Sequence, residues 1–309
     1  MSQKIYDVVM IGAGPSALTA AIYTTREDLD TVLYEKAVVG GMAAITDRVD
    51  NYPGFSDGVE GMVLTEQMQK QAENFGAKIE MGDVGALRHE NGINIVTVNG
   101  GEVLAKTILI ATGSDYNKIG APGEAEFYGR GVHYCATCDG AFYRGKKLVV
   151  VGGGNSAVQE AIFLTRFSSH IDLLVRSTVK ASDVLQKELQ KMVDDGKITV
   201  HIGTTTDAII GDNGRVVSVR VTHDGKSRLI ETDGVFVFAG LRPNTGFLDG
   251  SGVKLDDDKF IKTDCNLHTN IPGVFASGDV RSGATMQVAS AVGEGATAAL
   301  SIREYLGSL

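Results

Sequence analysis

At 309 residues, with 43% hydrophobic and 22% charged side chains, the chain is long enough to build two domains with ordinary buried cores. Its formal net charge of −9 argues against nucleic acid or an anionic membrane surface as the main partner. No uninterrupted apolar run reaches the roughly 18 residues of a spanning helix, and three cysteines do not make a secreted disulfide framework, so a cytoplasmic protein is expected.

The first element is the β-rich run IYDVVMI (5–11), which enters Gly12-Ala13-Gly14-Pro15-Ser16-Ala17. Leu18, Ala21, Ile22 and Thr25 then recur at i, i+3, i+4 and i+7, the mark of one buried helix face. A strand feeding GxGxx[GA] and then a helix is a dinucleotide-binding turn. The first glycine allows the tight turn, the second lets backbone approach a pyrophosphate, and the small third residue lets helix and strand pack closely. The next strand, TVLYEK, ends on Glu35, 23 residues after Gly12. A carboxylate there suits the 2′-hydroxyl of an unphosphorylated ribose, as in FAD or NAD.

After the β-run KTILIATG (106–113) comes HYCATCDGAF (133–142), which sets Cys135 and Cys138 three positions apart. Such a pair supplies an attacking thiolate and a neighbour able to resolve a mixed disulfide. Zinc is the main alternative, but it needs four ligands, and only Cys265 and scattered histidines remain. No metal is therefore expected, and Cys265 is given no role. His133 either lowers the pKa of Cys135 or is a plain loop or strand-edge histidine. Asp139 is either a proton carrier beside the dithiol or a turn residue before Gly140.

Beyond Cys138 the opening layout repeats, its glycine loop beginning fourteen residues on. The run KKLVVV (146–151) enters Gly152-Gly153-Gly154-Asn155-Ser156-Ala157, and Val158, Ala161, Ile162 and Thr165 outline a second helix face. Its following strand, IDLLV, reaches Val175 at the position equivalent to Glu35, with Arg176 next. A cation in place of an acid favours a 2′-phosphate and hence NADP(H). The second copy closes on DGVFVFAG (233–240), and PGVFASGDV (272–280) then ends a further strand on Gly278-Asp279. That aspartate is placed either to bind a sugar or ribityl hydroxyl or to serve as a turn or N-cap residue.

GAGPSA, Glu35, DNYPGF (50–55), ATG, CATCDG, GGGNSA, PNT (243–245) and VFASGD occur in the order seen in low-molecular-weight thioredoxin reductases, which this chain resembles along essentially its whole length. The resemblance implies an α/β fold of two Rossmann-like dinucleotide-binding domains, the second inserted into the first. Residues 1–115 and 245–309 would form a discontinuous FAD-binding domain, and 116–244 a nicotinamide-binding domain carrying the dithiol. It also implies a homodimer, with hinges near SDYNKI and GLRPNT that let the inserted domain present nicotinamide and CATC to the flavin in turn.

By the same resemblance FAD would meet Gly12, Gly14, Pro15 and Ser16 in the first turn, then Glu35 and Lys36. Gly40, Gly41 and Met42 follow, with Asn51, Val84, and the strand end Ala111, Thr112 and Gly113. Gly278, Asp279, Gln287, Val288 and Ala289 complete that set near the C-terminus. The nicotinamide nucleotide would meet Gly154, Asn155, Ser156, Arg176 and Lys180. Electrons would run from NADPH or NADH through FAD to Cys135–Cys138 and on to thioredoxin or a thioredoxin-like protein. Cys138 would face the flavin, Cys135 would attack the partner, and Asp139 would carry the proton.

Three departures stand out against that family. Members using NADPH usually carry HRRxxxR where this chain has Val175-Arg176-Ser177-Thr178-Val179-Lys180, so the expected 2′-phosphate site loses an arginine fork. NADH, reduced ferredoxin or a deazaflavin carrier are the alternative donors, and a flavin-dependent dithiol oxidase is the alternative enzyme. Met42 stands where glutamine commonly follows the glycine pair, and Met286 where arginine usually precedes the residue matching Gln287.

Overall fold

The computed structural model describes residues 4–46 and 48–309. In the opening strand, Ile5–Ile11, Val8 and Met10 enter one apolar cluster while Val9 and Ile11 enter another, and all four are buried. A strand buried on both faces belongs inside a parallel sheet with layers above and below it. Here Lys78–Met81, Thr31–Glu35, Ile5–Ile11, Gly101–Ile110 and Val274–Ala276 pair in parallel in that order. The ten-residue strand Gly101–Ile110 serves two neighbours on one side. Its second half pairs with Val274–Ala276, and its first half pairs antiparallel with Ile93–Val98, which forms a hairpin with Val84–Glu90.

Three helices, Pro15–Arg26, Gly61–Asn74 and Val288–Gly307, cover one face through Leu18, Leu64, Met68, Ala298 and Ile302. The last helix is rich in small residues, which lets it approach the first closely. A Cβ on Gly295 would lie 2.2 Å from the Ser16 carbonyl oxygen. Pro15–Arg26 is consequently buried on more than the one face read from its periodicity, Ala17, Ala20 and Thr24 included.

The layout recurs from residue 116 onward. Ile198–Ile202, His170–Val175, Lys147–Val151, Gly234–Val237 and Val132–His133 form a second parallel sheet. An antiparallel sheet of Thr204–Asp212, Arg215–His223 and Lys226–Glu231 accompanies it. Leu148 and Val150 alternate with Val149 and Val151 between two clusters, and Phe236 is fully buried. The helix Asn155–Leu164 buries Ala157, Val158, Ala161 and Leu164. Thr165 lies just past its end as the C-cap and is half-buried.

The chain forms two compact units, one of residues up to Asp115 with Arg242–Leu309, the other of Tyr116–Leu241. It passes between them through the short strands Ser114–Tyr116 and Leu241–Pro243, which pair with each other. The fold is α/β, with two Rossmann-like domains and the second inserted into the first. Among the described residues no helix is long and apolar enough to cross a membrane.

Candidate active site

Within each glycine turn the residues divide the labour in the same way. Gly12 has φ +96°, and a Cβ there would sit 2.5 Å from the Ala111 carbonyl oxygen; Gly152 has φ +145°, with Phe238 oxygen at 2.5 Å. Both are fixed by close packing and a backbone conformation that favours glycine. Gly14 and Gly154, by contrast, cap the helices Pro15–Arg26 and Asn155–Leu164, and a Cβ on either meets nothing within 4 Å. No packing accounts for the missing side chain there. The first N–H groups of a helix have no partner within it, and beside the open space at Gly14 and Gly154 that arrangement is suited to phosphate.

Around the first turn, candidates distant in sequence come together. Glu35, buried at its strand end, accepts the Ala13 N–H and the Ala37 N–H, each at 2.9 Å, so its carboxylate is tied behind the turn. The Gly40 N–H donates to the Ala13 carbonyl, and Gly41 lies against Gly14. Ser16 is buried, its hydroxyl 2.6 Å from that of Ser277. Asn51 donates its side-chain amide to Gln287 at 2.9 Å. Thr112 donates its hydroxyl to the Asn244 carbonyl, and the Asn244 amide returns a bond to the Thr112 carbonyl.

Other candidates sit apart from those contacts. The Val84 side chain belongs to the core, although the Gly82 N–H two positions earlier donates to the Glu35 carbonyl. Lys36 is exposed. Met42 is 37% exposed on the short helix Gly41–Ala44. Val288 and Ala289 open the last helix, after Gln287 as its N-cap. Met286 precedes them with φ +57°.

Asp279 supplies a further test of fit. Burial, with the Glu294 charge second, pushes its carboxyl up to about 6. Glu294 is itself engaged, by the Gly278 N–H at 2.7 Å and the Arg281 Nε at 3.1 Å. Among the described residues the Asp279 carboxylate has no hydrogen-bond partner. A half-buried, unpartnered acid next to Gly278, which lies against Ser16 of the first turn, fits a ligand rich in hydroxyls and phosphates, as FAD is. Ser277 and Glu294 escaped the sequence reading because their partners lie on other elements and no local spacing marks them.

In the second unit the turn is pinned to the segment that follows strand His170–Val175. The Lys180 N–H donates to the Gly153 carbonyl at 2.6 Å, and Asn155 accepts the Ser182 N–H at 2.8 Å. Ser156, Arg176, Ser177 and Lys180 are exposed, and neither cationic side chain has an ion-pair partner among the described residues. Two cations thus stand on the segment anchored to the turn.

Cys135 and Cys138 form a disulfide, with Cα atoms 5.3 Å apart. Cys135 caps the short turn Ala136–Asp139, and the Cys138 N–H points at its sulfur from 3.1 Å. His133 does not bond to Cys135. Its Nδ1 lies 3.3 Å from Asp139 Oδ2 and its Nε2 is 2.7 Å from the Tyr143 hydroxyl, with the ring stacked on Phe236. His133 thus stands on the edge strand of the second sheet, as one of its two readings had it, with its side chain only 9% exposed and turned to Asp139 and Tyr143. Tyr143 was not singled out in the sequence; a tyrosine ten residues from a histidine carries no signal of its own.

The model of the family described as pyridine nucleotide-disulphide oxidoreductase matches residues 6–295. The chain belongs to that family. This pyridine nucleotide-disulphide oxidoreductase is 42% identical over 310 residues to a thioredoxin reductase of Listeria innocua, covering 99% of this chain and 96% of the relative. It is 39% identical to a thioredoxin reductase of Bacillus subtilis with the same coverage. A crystal structure of thioredoxin reductase from Streptococcus pyogenes superposes with a TM-score of 0.93 at 35% identity, covering 100% of both chains. The thioredoxin reductases of the family use FAD, with NADPH as the electron donor.

Proposed function

We propose that this pyridine nucleotide-disulphide oxidoreductase is a thioredoxin reductase, taking electrons from NADPH through FAD to Cys135–Cys138 and on to the disulfide of thioredoxin or a thioredoxin-like protein. The observation that carries the reading is the disulfide itself, placed at the start of a turn whose Cys138 N–H faces the Cys135 sulfur. Bound FAD supplies a two-electron carrier between the nicotinamide and the disulfide.

The first unit is assigned to FAD. Gly14 and the start of Pro15–Arg26 receive the pyrophosphate; Glu35 orients the turn and keeps a carboxylate toward a ribose; Asp279 meets a hydroxyl. Asn51 and Gln287 hold each other beside the cofactor. The second unit is assigned to the nicotinamide nucleotide, with Gly154, Asn155 and Ser156 at the phosphates and Arg176 with Lys180 at the 2′-phosphate. NADPH is preferred to NADH on the strength of those two unpaired cations.

Once the disulfide is reduced, the Cys138 N–H favours negative charge on Cys135, which makes Cys135 the attacking thiolate. Cys138 resolves the mixed disulfide, and Asp139 takes its proton. Phe142, exposed beside the pair, is a contact for the partner protein. The protein works as a cytoplasmic homodimer. Apolar side chains exposed on Gly41–Ala44 and Gly61–Asn74, among them Met42, Met62 and Val63, support a subunit contact there.

The test is turnover of recombinant, FAD-loaded protein with thioredoxin and a thiol-reactive dye, comparing NADPH, NADH and no donor. Donor-dependent thiol release with NADPH ahead supports the reading. Rapid oxygen consumption with a dithiol and no need for nicotinamide would identify a dithiol oxidase instead.

A further inference from the structure

His133 occupies a more constrained place than its neighbours. Its strand, Val132–His133, pairs in parallel with Gly234–Val237 so that His133 stands beside Phe236. The imidazole stacks on the Phe236 ring at 5.2 Å and meets the Tyr143 ring edge-on at 5.3 Å. Tyr143 is held in turn, because a Cβ on Gly234 would come within 2.5 Å of its ring. The imidazole therefore has little freedom to turn, with Nε2 bonded to the Tyr143 hydroxyl and Nδ1 held 3.3 Å from Asp139 Oδ2, within reach of a proton shared between them.

We infer that His133 is a positioning residue for disulfide exchange, holding Asp139 in both of its protonation states by exchanging its own tautomer against the Tyr143 hydroxyl. The inference rests on the reading of Cys135, Cys138 and Asp139 as the exchange centre.

The chemistry requires an acid that changes state. Cys135 thiolate bonds to one sulfur of the partner disulfide as that S–S bond breaks. Cys138 then bonds to the Cys135 sulfur as the mixed disulfide breaks. The enzyme's two thiols become a disulfide, and the partner's disulfide becomes two thiols, so two electrons and two protons pass to the partner. One proton leaves Cys138 for Asp139 and goes from Asp139 to the departing partner sulfur; the other exchanges with solvent.

Neutral imidazole is a donor at one nitrogen and an acceptor at the other. When Asp139 is ionised, Nδ1–H donates to it and Nε2 accepts from the Tyr143 hydroxyl. When Asp139 carries the proton, Nδ1 accepts from the carboxyl and Nε2–H donates to the Tyr143 oxygen. No heavy atom moves between the two states. Tyr143 is suited to this, since burial, with the charges of Asp139 and Asp233 against that of Arg215, pushes its hydroxyl up to about 12. It remains an O–H, able to give or take a bond, across the working range. Asp139 and Tyr143 face the imidazole directly, while Asp233 and Arg215 act on it through Tyr143.

The experiment follows the pH dependence of thioredoxin-disulfide reduction by holoenzyme, alongside the rate of flavin reduction by NADPH in the same preparation. The second rate needs a native second unit but no disulfide exchange. His133→Phe keeps an aromatic ring on Phe236 and removes both nitrogens; its disulfide turnover is expected to fall about 10-fold or more, with flavin reduction within about two-fold of wild type. Tyr143→Phe keeps the packing and removes one hydroxyl. Without that hydroxyl Nε2 loses its partner in both tautomers, so the pH profile of disulfide turnover is expected to shift from that of wild type while flavin reduction does not.

Wild-type turnover and an unshifted profile in His133→Phe would overturn the inference. If His133→Phe loses both reactions together, Tyr143→Phe decides, and an unshifted profile there overturns it. Wild-type protein that never reduces the thioredoxin disulfide would overturn the proposed function and this inference with it.

Discussion

The side-chain amide of Asn51 donates to the carboxamide oxygen of Gln287 at 2.9 Å, joining two candidate flavin residues 236 positions apart. The bond brings the DNYPGF loop to the start of the last helix, where Gln287 is the N-cap. Gln287→Ala removes a neutral, exposed bond of about 1 kcal/mol. FAD dissociation, followed by flavin fluorescence, is expected to become about 5-fold more favourable, with the fold unchanged.

Paired glycine substitutions separate fold from binding. Gly152→Ala forces a Cβ against the Phe238 carbonyl at 2.5 Å with φ at +145°, and is expected to destabilise the second unit by about 2 kcal/mol or more. Gly154→Ala meets no atom within 4 Å, so stability should change by less than about 1 kcal/mol. The KM for NADPH should nevertheless rise about 10-fold or more. Denaturant melts and steady-state kinetics on the two proteins check both halves.

How far the sequence alone was legible follows the range of each interaction. The parallel strands and both glycine turns are local patterns, short β-rich apolar runs and GxG before a helix, and the fold displays them. Thr165 falls at the C-cap because the apolar periodicity continues one residue beyond the helix end. Ser16–Ser277, Asn51–Gln287 and Glu294–Gly278 leave no such trace, since each joins elements far apart in the chain. His133 is the intermediate case. Its nearness to Cys135 was plain, but the turn at Ala136–Asp139 and the one after it carry Asp139 and Tyr143 back to its ring, and sequence spacing does not show that.

Asp279 makes a pH-dependent prediction. Its folded pKa, about 6, lies above the ordinary carboxylate value of 3.8. Between those two values the folded chain holds the proton more tightly than the unfolded chain. Stability of the flavin-stripped protein should therefore decline as pH rises from about 4 to about 6, then level off. Asp279→Asn should abolish that decline and stabilise the stripped protein at neutral pH by the order of 2 kcal/mol. The same change should weaken FAD binding. Thermal melts across pH, with and without FAD, measure both effects.

Donor choice is predicted to rest on Arg176 and Lys180. Arg176→Ala should raise the KM for NADPH about 10-fold through loss of a charge-assisted bond to phosphate, leaving NADH within about two-fold. Ser177→Arg adds an arginine fork beside Arg176 and should increase the preference for NADPH. Initial rates with both nucleotides, at fixed ionic strength, give the ratio.

The central claim, that electrons leave this protein through Cys135 and Cys138, is tested most directly by thioredoxin reduction in Cys135→Ser and Cys138→Ser. With FAD bound and NADPH supplied, both variants should still reduce their flavin yet release no thioredoxin thiols. Sustained thioredoxin reduction by either variant would contradict the account.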